Sequence, residues 1–264
     1  MEVGNKTIQD FGTQWTKYDN IDGFFGSKNL LSDYIAPFNP NDFKNKIVAD
    51  IGAGTGRYTL SLLELKADHV YALEPSKAVN VLAEKTKHCV DKVTIINHTG
   101  DKLPSDIELD YAISIGVIHH IPEPLPVLHA VHTALKENGK FIFWLYGKEG
   151  NNLYLFFVEP IRRICQNLPS SFISILSNIL NIFLFIYISL CKIFSFLPLS
   201  EYLLGVIDKL PWEKRTVVIY DQLAPAYAKY YSREDCVKLM EQTNFKKYDI
   251  YHRKGYSWVI IAEK

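Results

Sequence analysis

A short apolar run, Ile47-Val48-Ala49-Asp50-Ile51, breaks into three glycines and then into a helical pattern from Arg57 to Leu65. No other stretch restricts the fold of this chain so tightly. An apolar run of this length bounded by turn residues reads as a buried strand. Glycine at 52, 54 and 56 permits positive φ and lets a ligand approach bare backbone. The start of the next helix adds free N–H groups and a partial positive charge, which suit a carboxylate or a phosphate. Spacing then separates two cofactor classes. A dinucleotide fingerprint runs G-x-G-x-x-G. Here the third glycine, Gly56, falls one residue early, and Arg57 stands where the last glycine belongs. An acid, Asp50, also sits just before the turn.

The residues that follow give this turn its meaning. His69 to Glu74 reads as a second strand, with Pro75-Ser76 as its stop. Glu74 occupies the place where nucleoside-binding α/β folds set an acid against the ribose hydroxyls. A third strand, Val93 to Asn97, leads into Thr99-Gly100-Asp101. A fourth, Leu109 to Ile115, carries Ser114 and Gly116 at its carboxyl end, where open α/β sheets bind ligands. His119 and His120 come within one turn of it. Adjacent histidines cannot share a helical face, so one is expected to pack and the other to face an acceptor as a general base. Leu125 to Lys136 reads as a helix closed by Asn138-Gly139, and Lys140 to Tyr146 as a fifth strand.

The D-x-G-x-G-x-G pattern from Asp50 to Gly56 resembles motif I of the class I S-adenosylmethionine (SAM) dependent methyltransferases. The phrases GVIHHIP at 116–122 and LKENGKFIF at 135–143 resemble later marks of the same family. The resemblance implies a Rossmann-like α/β fold, a seven-stranded, mostly parallel sheet finished by an antiparallel hairpin. It implies SAM as cofactor, held by Asp50, Gly52, Ala53, Gly54, Gly56, Glu74, Pro75, Gly100, Asp101, Ser114 and Gly116. Asp101 would accept from the adenine amine, and His119 or His120 would be catalytic. The phrases FGTQW, YDQLAP and HRKGYSW look like those of bacterial methyltransferases with a hydrophobic insertion before the hairpin.

Composition narrows the partners. The 29 Lys plus Arg residues equal the 29 Asp plus Glu residues, so the formal charge is zero. A nucleic-acid partner would favour a basic face, and none is expected here. Cys89, Cys165, Cys191 and Cys236 are scattered, as in a reduced cytoplasmic protein with no disulfide framework. No His/Asp/Glu set has metal-ligand spacing, and the first ten residues lack a signal-peptide core.

The expected division is an N-terminal arm or lid at 1–45, a SAM-binding core at 46–149, a hydrophobic helical insertion at 150–231, and a C-terminal helix and hairpin at 232–264. The insertion is the unusual part. Twenty-eight residues between Arg163 and Lys192 hold no charged side chain. On a helical wheel Ser174, Ser177, Asn178 and Asn181 fall on one arc of an otherwise apolar helix. Such a helix over 171–197 could lie in a membrane interface, with Arg162 and Arg163 near lipid phosphates. It could equally pack in the protein or line an apolar pocket. The expected acceptor is therefore an oxygen of a lipid-linked or apolar small molecule, met in the cytoplasm or at the inner face of the membrane. A soluble nucleotide sugar, a nicotinamide-dependent oxidoreductase and a non-catalytic membrane-bound scaffold are the competing readings.

Overall fold

The computed structural model describes residues 3–17, 23–165 and 168–264. Seven strands form one sheet: β1 (Ile47–Ile51), β2 (His69–Leu73), β3 (Val93–Ile96), β4 (Leu109–Ile115), β5 (Leu135–Tyr146), β6 (Lys247–Arg253) and β7 (Ser257–Glu263). Their order is β3-β2-β1-β4-β5-β7-β6. The first five run parallel, and β7 lies antiparallel between β5 and β6. This is the seven-stranded, mostly parallel sheet that the resemblance implies. The chain moves outward from β1 to β3, then returns to lay β4 on the other side of β1. That reversal opens a crevice at the carboxyl ends of β1 and β4.

Ten α-helices accompany the sheet among the described residues: α1 (Val3–Lys17), α2 (Lys28–Ile35), α3 (Arg57–Glu64), α4 (Val79–Thr86), α5 (Leu125–Ala134), α6 (Asn152–Cys165), α7 (Ser170–Ile193), α8 (Ser200–Gly205), α9 (Trp212–Leu223) and α10 (Arg233–Glu241). Side chains alternate across each strand, so β1 feeds two cores. Ala49 and Ile51 join Leu128 and Val131 of α5 and Met240 of α10. Val48 joins Leu31 and Ile35 of α2 and Leu62 of α3. The end signals act locally. The Ser27 side chain accepts from the Leu30 N–H to start α2, and Ser232 with Asp235 forms a reciprocal capping box on α10.

One local reading needs correction. Asn138 takes the left-handed conformation its residue type suggests, with φ 63°. It does not close the helix, which ends at Ala134. The chain is already extended at Leu135, and the β4–β5 register shifts between Leu109 and Tyr111. Asn138-Gly139 thus forms an irregularity within β5, whose Asn138 N–H donates to the Lys264 carbonyl at 3.2 Å.

Helix α7 is inverted relative to a soluble amphipathic helix. Part of its polar arc points inward, where Ser177 and Asn181 are fully buried, while Asn178 and Ser189 are exposed. The Asn181 amide donates at 2.9 Å to both the Trp212 carbonyl and the Thr216 hydroxyl of α9. Its apolar arc points outward, with Phe172, Ile175, Ile179, Phe183, Phe185 and Ile186 all exposed. Hydrogen bonding favours the inward turn, because α9 offers acceptors to the N–H groups of the Asn181 amide. The two arginines before α7 differ from each other. Arg162 is buried and paired with Glu159 at 2.6 Å, so it does not face lipid phosphate as expected, while Arg163 is exposed.

Candidate active site

A cavity of about 750 Å³ begins at the carboxyl ends of β1 and β4 and extends among α1, α7, α8 and α9. Its first part is built by the glycine turn. Gly52, Gly54 and Gly56 have φ of 78°, 57° and 85°, a region disfavoured for any residue with a Cβ. Space matters as well. A Cβ on Gly52 would come within 2.4 Å of Val117, whereas one on Gly54 would meet nothing within 4 Å. Gly54 therefore presents bare backbone to open cavity.

Glu74 fixes that turn from β2. One carboxylate oxygen accepts from the Gly54 N–H and the other from the Ser76 N–H, both at 2.9 Å. A carboxylate has about four acceptor sites, so two remain for a pair of hydroxyls. Pro75, Gly100, Asp101 and Gly116 line the same cavity with Gly52, Ala53 and Gly54. A hydrogen bond from Thr99 holds the Asp101 carboxyl below its ordinary range, keeping it an acceptor.

Four of the expected site residues, Asp50, Gly56, Ser114 and His119, are not among the residues lining this cavity. Asp50 lies beneath the turn, where it accepts from the Thr59 hydroxyl at 2.7 Å. Burial pushes its carboxyl up to about 6. The Ser114 hydroxyl donates to the Ile51 carbonyl at 3.1 Å and ties β4 to β1. These two residues shape the turn from behind. His119 is fully buried and stacks on Tyr146 with ring centroids 3.8 Å apart.

His120 is the histidine that reaches the cavity. Its Nδ1 lies 2.8 Å from the Tyr227 carbonyl. A carbonyl only accepts, so Nδ1 carries the proton and Nε2 keeps its lone pair. Burial drives the ring down to about 4, which keeps it neutral near pH 7. Phe11 of α1 sits edge-on against it at 4.7 Å.

The second part of the cavity was not anticipated residue by residue. Tyr146 from β5, Tyr154 from α6, and Tyr230 converge on Gln222 of α9. The Gln222 amide donates to the Tyr146 hydroxyl at 2.8 Å, and its carbonyl accepts from Tyr154 and Tyr230 at 2.9 Å. Next to it in sequence is Asp221, which accepts from the Gln14 amide of α1. Burial pushes the Asp221 carboxyl up to about 7. Apolar walls come from Leu180, Leu184, Leu203, Val206 and Leu210.

These contacts give roles to three phrases that have no periodicity. FGTQW places Phe11 on His120, Gln14 on Asp221 and Trp15 near Arg57. YDQLAP supplies Asp221 and Gln222. HRKGYSW carries Arg253, which bonds Asp33 of α2 and covers the Tyr34 ring at 4.6 Å. Residues 18–22, within the aromatic N-terminal stretch read as a lid, lie outside the described residues. The phrases were the available signal, and only long-range packing could show that they meet.

The methyltransferase-domain family matches residues 49–141. A tRNA U34 carboxymethyltransferase of Helicobacter pylori (strain P12) is 30% identical over 111 residues, which cover 39% of this chain and 42% of that protein. The enzyme of the same name from Campylobacter fetus is 25% identical over 138 residues, covering 52% of this chain and 44% of its own. The chain thus spans less than half the length of these curated relatives. Among solved structures, the pyocyanin biosynthetic protein PhzM is similar in fold, with a TM-score of 0.54, 14% identity, and coverage of 89% of this chain and 55% of that one. Human N-acetylserotonin methyltransferase, solved with SAM, gives 0.50 at 11% identity, covering 88% and 50%. The relatives' names overturn one expectation, that nucleic acid has no part. The physical reason is that a zero total charge constrains neither a local basic patch nor a pocket that takes a single base.

Proposed function

We propose that this chain, whose residues 49–141 match the methyltransferase-domain family, is a class I SAM-dependent methyltransferase that methylates an oxygen of an apolar small molecule. The single observation that supports this reading is the continuity of the cavity. The glycine turn and Glu74 open directly into a chamber walled by tyrosines and by aliphatic side chains of α7, α8 and α9.

SAM supplies an electrophilic methyl group when bound. The open backbone at Gly54 and the spare lone pairs of Glu74 fit a nucleoside, and Gly100 and Asp101 fit its base. We assign the acceptor to the chamber. His120 offers an Nε2 lone pair there, so it receives the hydrogen bond of the acceptor hydroxyl and takes up its proton as the new bond forms. Phe11 and the rest of α1 cover that side and limit water. Positioning supplies the remainder, since displacement needs donor and acceptor in line. The outer face of α7 would rest on a membrane, at the cytoplasmic side, and its inner face, Leu180, Leu184 and Tyr187, would pass an apolar acceptor to the chamber.

A second reading rests on the names of the curated relatives: the acceptor is a nucleoside of tRNA. One experiment separates the two. Purified protein is incubated with methyl-labelled SAM and either a cell lipid and small-molecule extract or total tRNA. Label in the organic phase supports the apolar acceptor. Label in tRNA alone overturns it.

A further inference from the structure

Arg57 is the first residue of α3 and opens from the glycine turn into the cavity. Three aromatic rings hold its guanidinium. Its Cζ lies 4.3 Å from the Phe25 and Tyr58 ring centroids and 5.8 Å from that of Trp15. Those rings come from three separate segments, so the head group is fixed in place. Among the described residues the guanidinium makes no ion pair and its nitrogens donate no hydrogen bond. Its charge is felt by two nearby acids, Asp50 behind the turn and Asp221 across the chamber, yet neither lies within ion-pair distance. A guanidinium presents five N–H donors in a planar fork. Rings satisfy its charge and leave the edge of the fork without acceptors. The start of α3, with its partial positive charge, lies alongside.

We infer that Arg57 is an anion-recognition residue of the cavity and takes a carboxylate by its fork. The geometry is bidentate and planar, which matches a carboxylate. Two molecules can bring that group: SAM, whose amino-acid end carries one, or an acceptor with a carboxyl substituent. This inference rests on the family's use of SAM and on the chamber reading, but its test needs no methyl transfer.

Calorimetry with SAM and with methylthioadenosine, which lacks the amino-acid end, is run on the wild-type protein and on Arg57→Gln. A third titration adds benzoate to protein saturated with S-adenosylhomocysteine. If the guest is the cofactor's carboxylate, Arg57→Gln weakens SAM by at least about tenfold, the scale of a hydrogen bond to a charged group, and leaves methylthioadenosine unchanged. If it is the acceptor's, SAM affinity holds and benzoate binding is lost. Equal loss of SAM and methylthioadenosine, or no change in any titration, overturns the inference. Should Arg57→Gln fail to fold, Arg57→Lys keeps charge and ring contact while losing the fork. Unchanged SAM and benzoate binding in that variant would then sink it. An inactive enzyme with these binding results intact would count against the acceptor reading alone.

Discussion

Glu74 shows how a single side chain can belong to both scaffold and site. Its two oxygens hold the Gly54 and Ser76 amides, so its removal loosens the turn as well as the ribose contacts. Glu74→Ala should weaken SAM by ~1.5–3 kcal/mol, the range for hydrogen bonds to a charged group. Calorimetry on the folded variant checks this, and unchanged affinity would remove Glu74 from the site. The histidines are separable in the same way. His120→Ala should lower turnover by roughly 10²-fold or more, the scale of general-base catalysis, with SAM affinity nearly constant. His119→Ala should instead act through packing, because a buried ring stacked on Tyr146 leaves a void. Its signature is a lower unfolding midpoint. Normal turnover in His120→Ala would assign both rings to structure. Their adjacency in sequence promised that only one would reach an acceptor, but packing between β5 and α1 chose which.

At the level of elements, α7 poses the clearest physical problem. It spans 24 residues with hydropathy high enough to cross a membrane, or ~36 Å at 1.5 Å per residue. The Asn181 amide donates to α9 inside, and Phe172, Ile175, Ile179, Phe183, Phe185 and Ile186 face out. Each such side chain gains ~1.5–3 kcal/mol when removed from water, so a handful together would hold the helix against an apolar surface. Phe183→Glu with Ile186→Lys should release the protein from liposomes in a flotation assay without altering SAM affinity. If the wild-type protein stays in the aqueous fraction and is monomeric without detergent, the membrane role of α7 is wrong.

For the whole molecule, buried ionisable groups set the response to pH. Asp50 and Asp221 have folded pKa values raised by burial to about 6 and about 7. Their contribution to stability is full below the ordinary carboxyl range near 3.8 and is lost as pH rises through those values. His119 and His120 are lowered by burial, His120 to about 4. They act in the opposite sense, with stability present above the ordinary value of 6.5 and lost as pH falls. The two effects oppose each other up to about pH 8, because the histidines of the unfolded chain are still half protonated at pH 6.5. Asp221→Asn removes only the carboxyl's share, so between pH 6.5 and 8 its unfolding free energy, read in urea titrations, should rise relative to wild type by on the order of 1 kcal/mol. An unchanged slope would place the titrating group elsewhere.

The sheet was legible from local sequence, because a strand's alternation and a glycine's freedom are local properties. Ile47–Ile51, the turn glycines, Glu74 at the end of β2 and the closing hairpin could all be read without knowing what they touch. Polar residues on α7 were legible as a stripe, but not the direction the stripe faces. Periodicity fixes which residues share a face, while partners on α9, distant in sequence, fix where that face turns. The chamber lay furthest out of reach. Gln14, Tyr146, Tyr154, Asp221, Gln222 and Tyr230 come from five separate segments, and no spacing links them. Only tertiary packing brought them together, since a buried amide or carboxylate must find its partners wherever the folded chain supplies them.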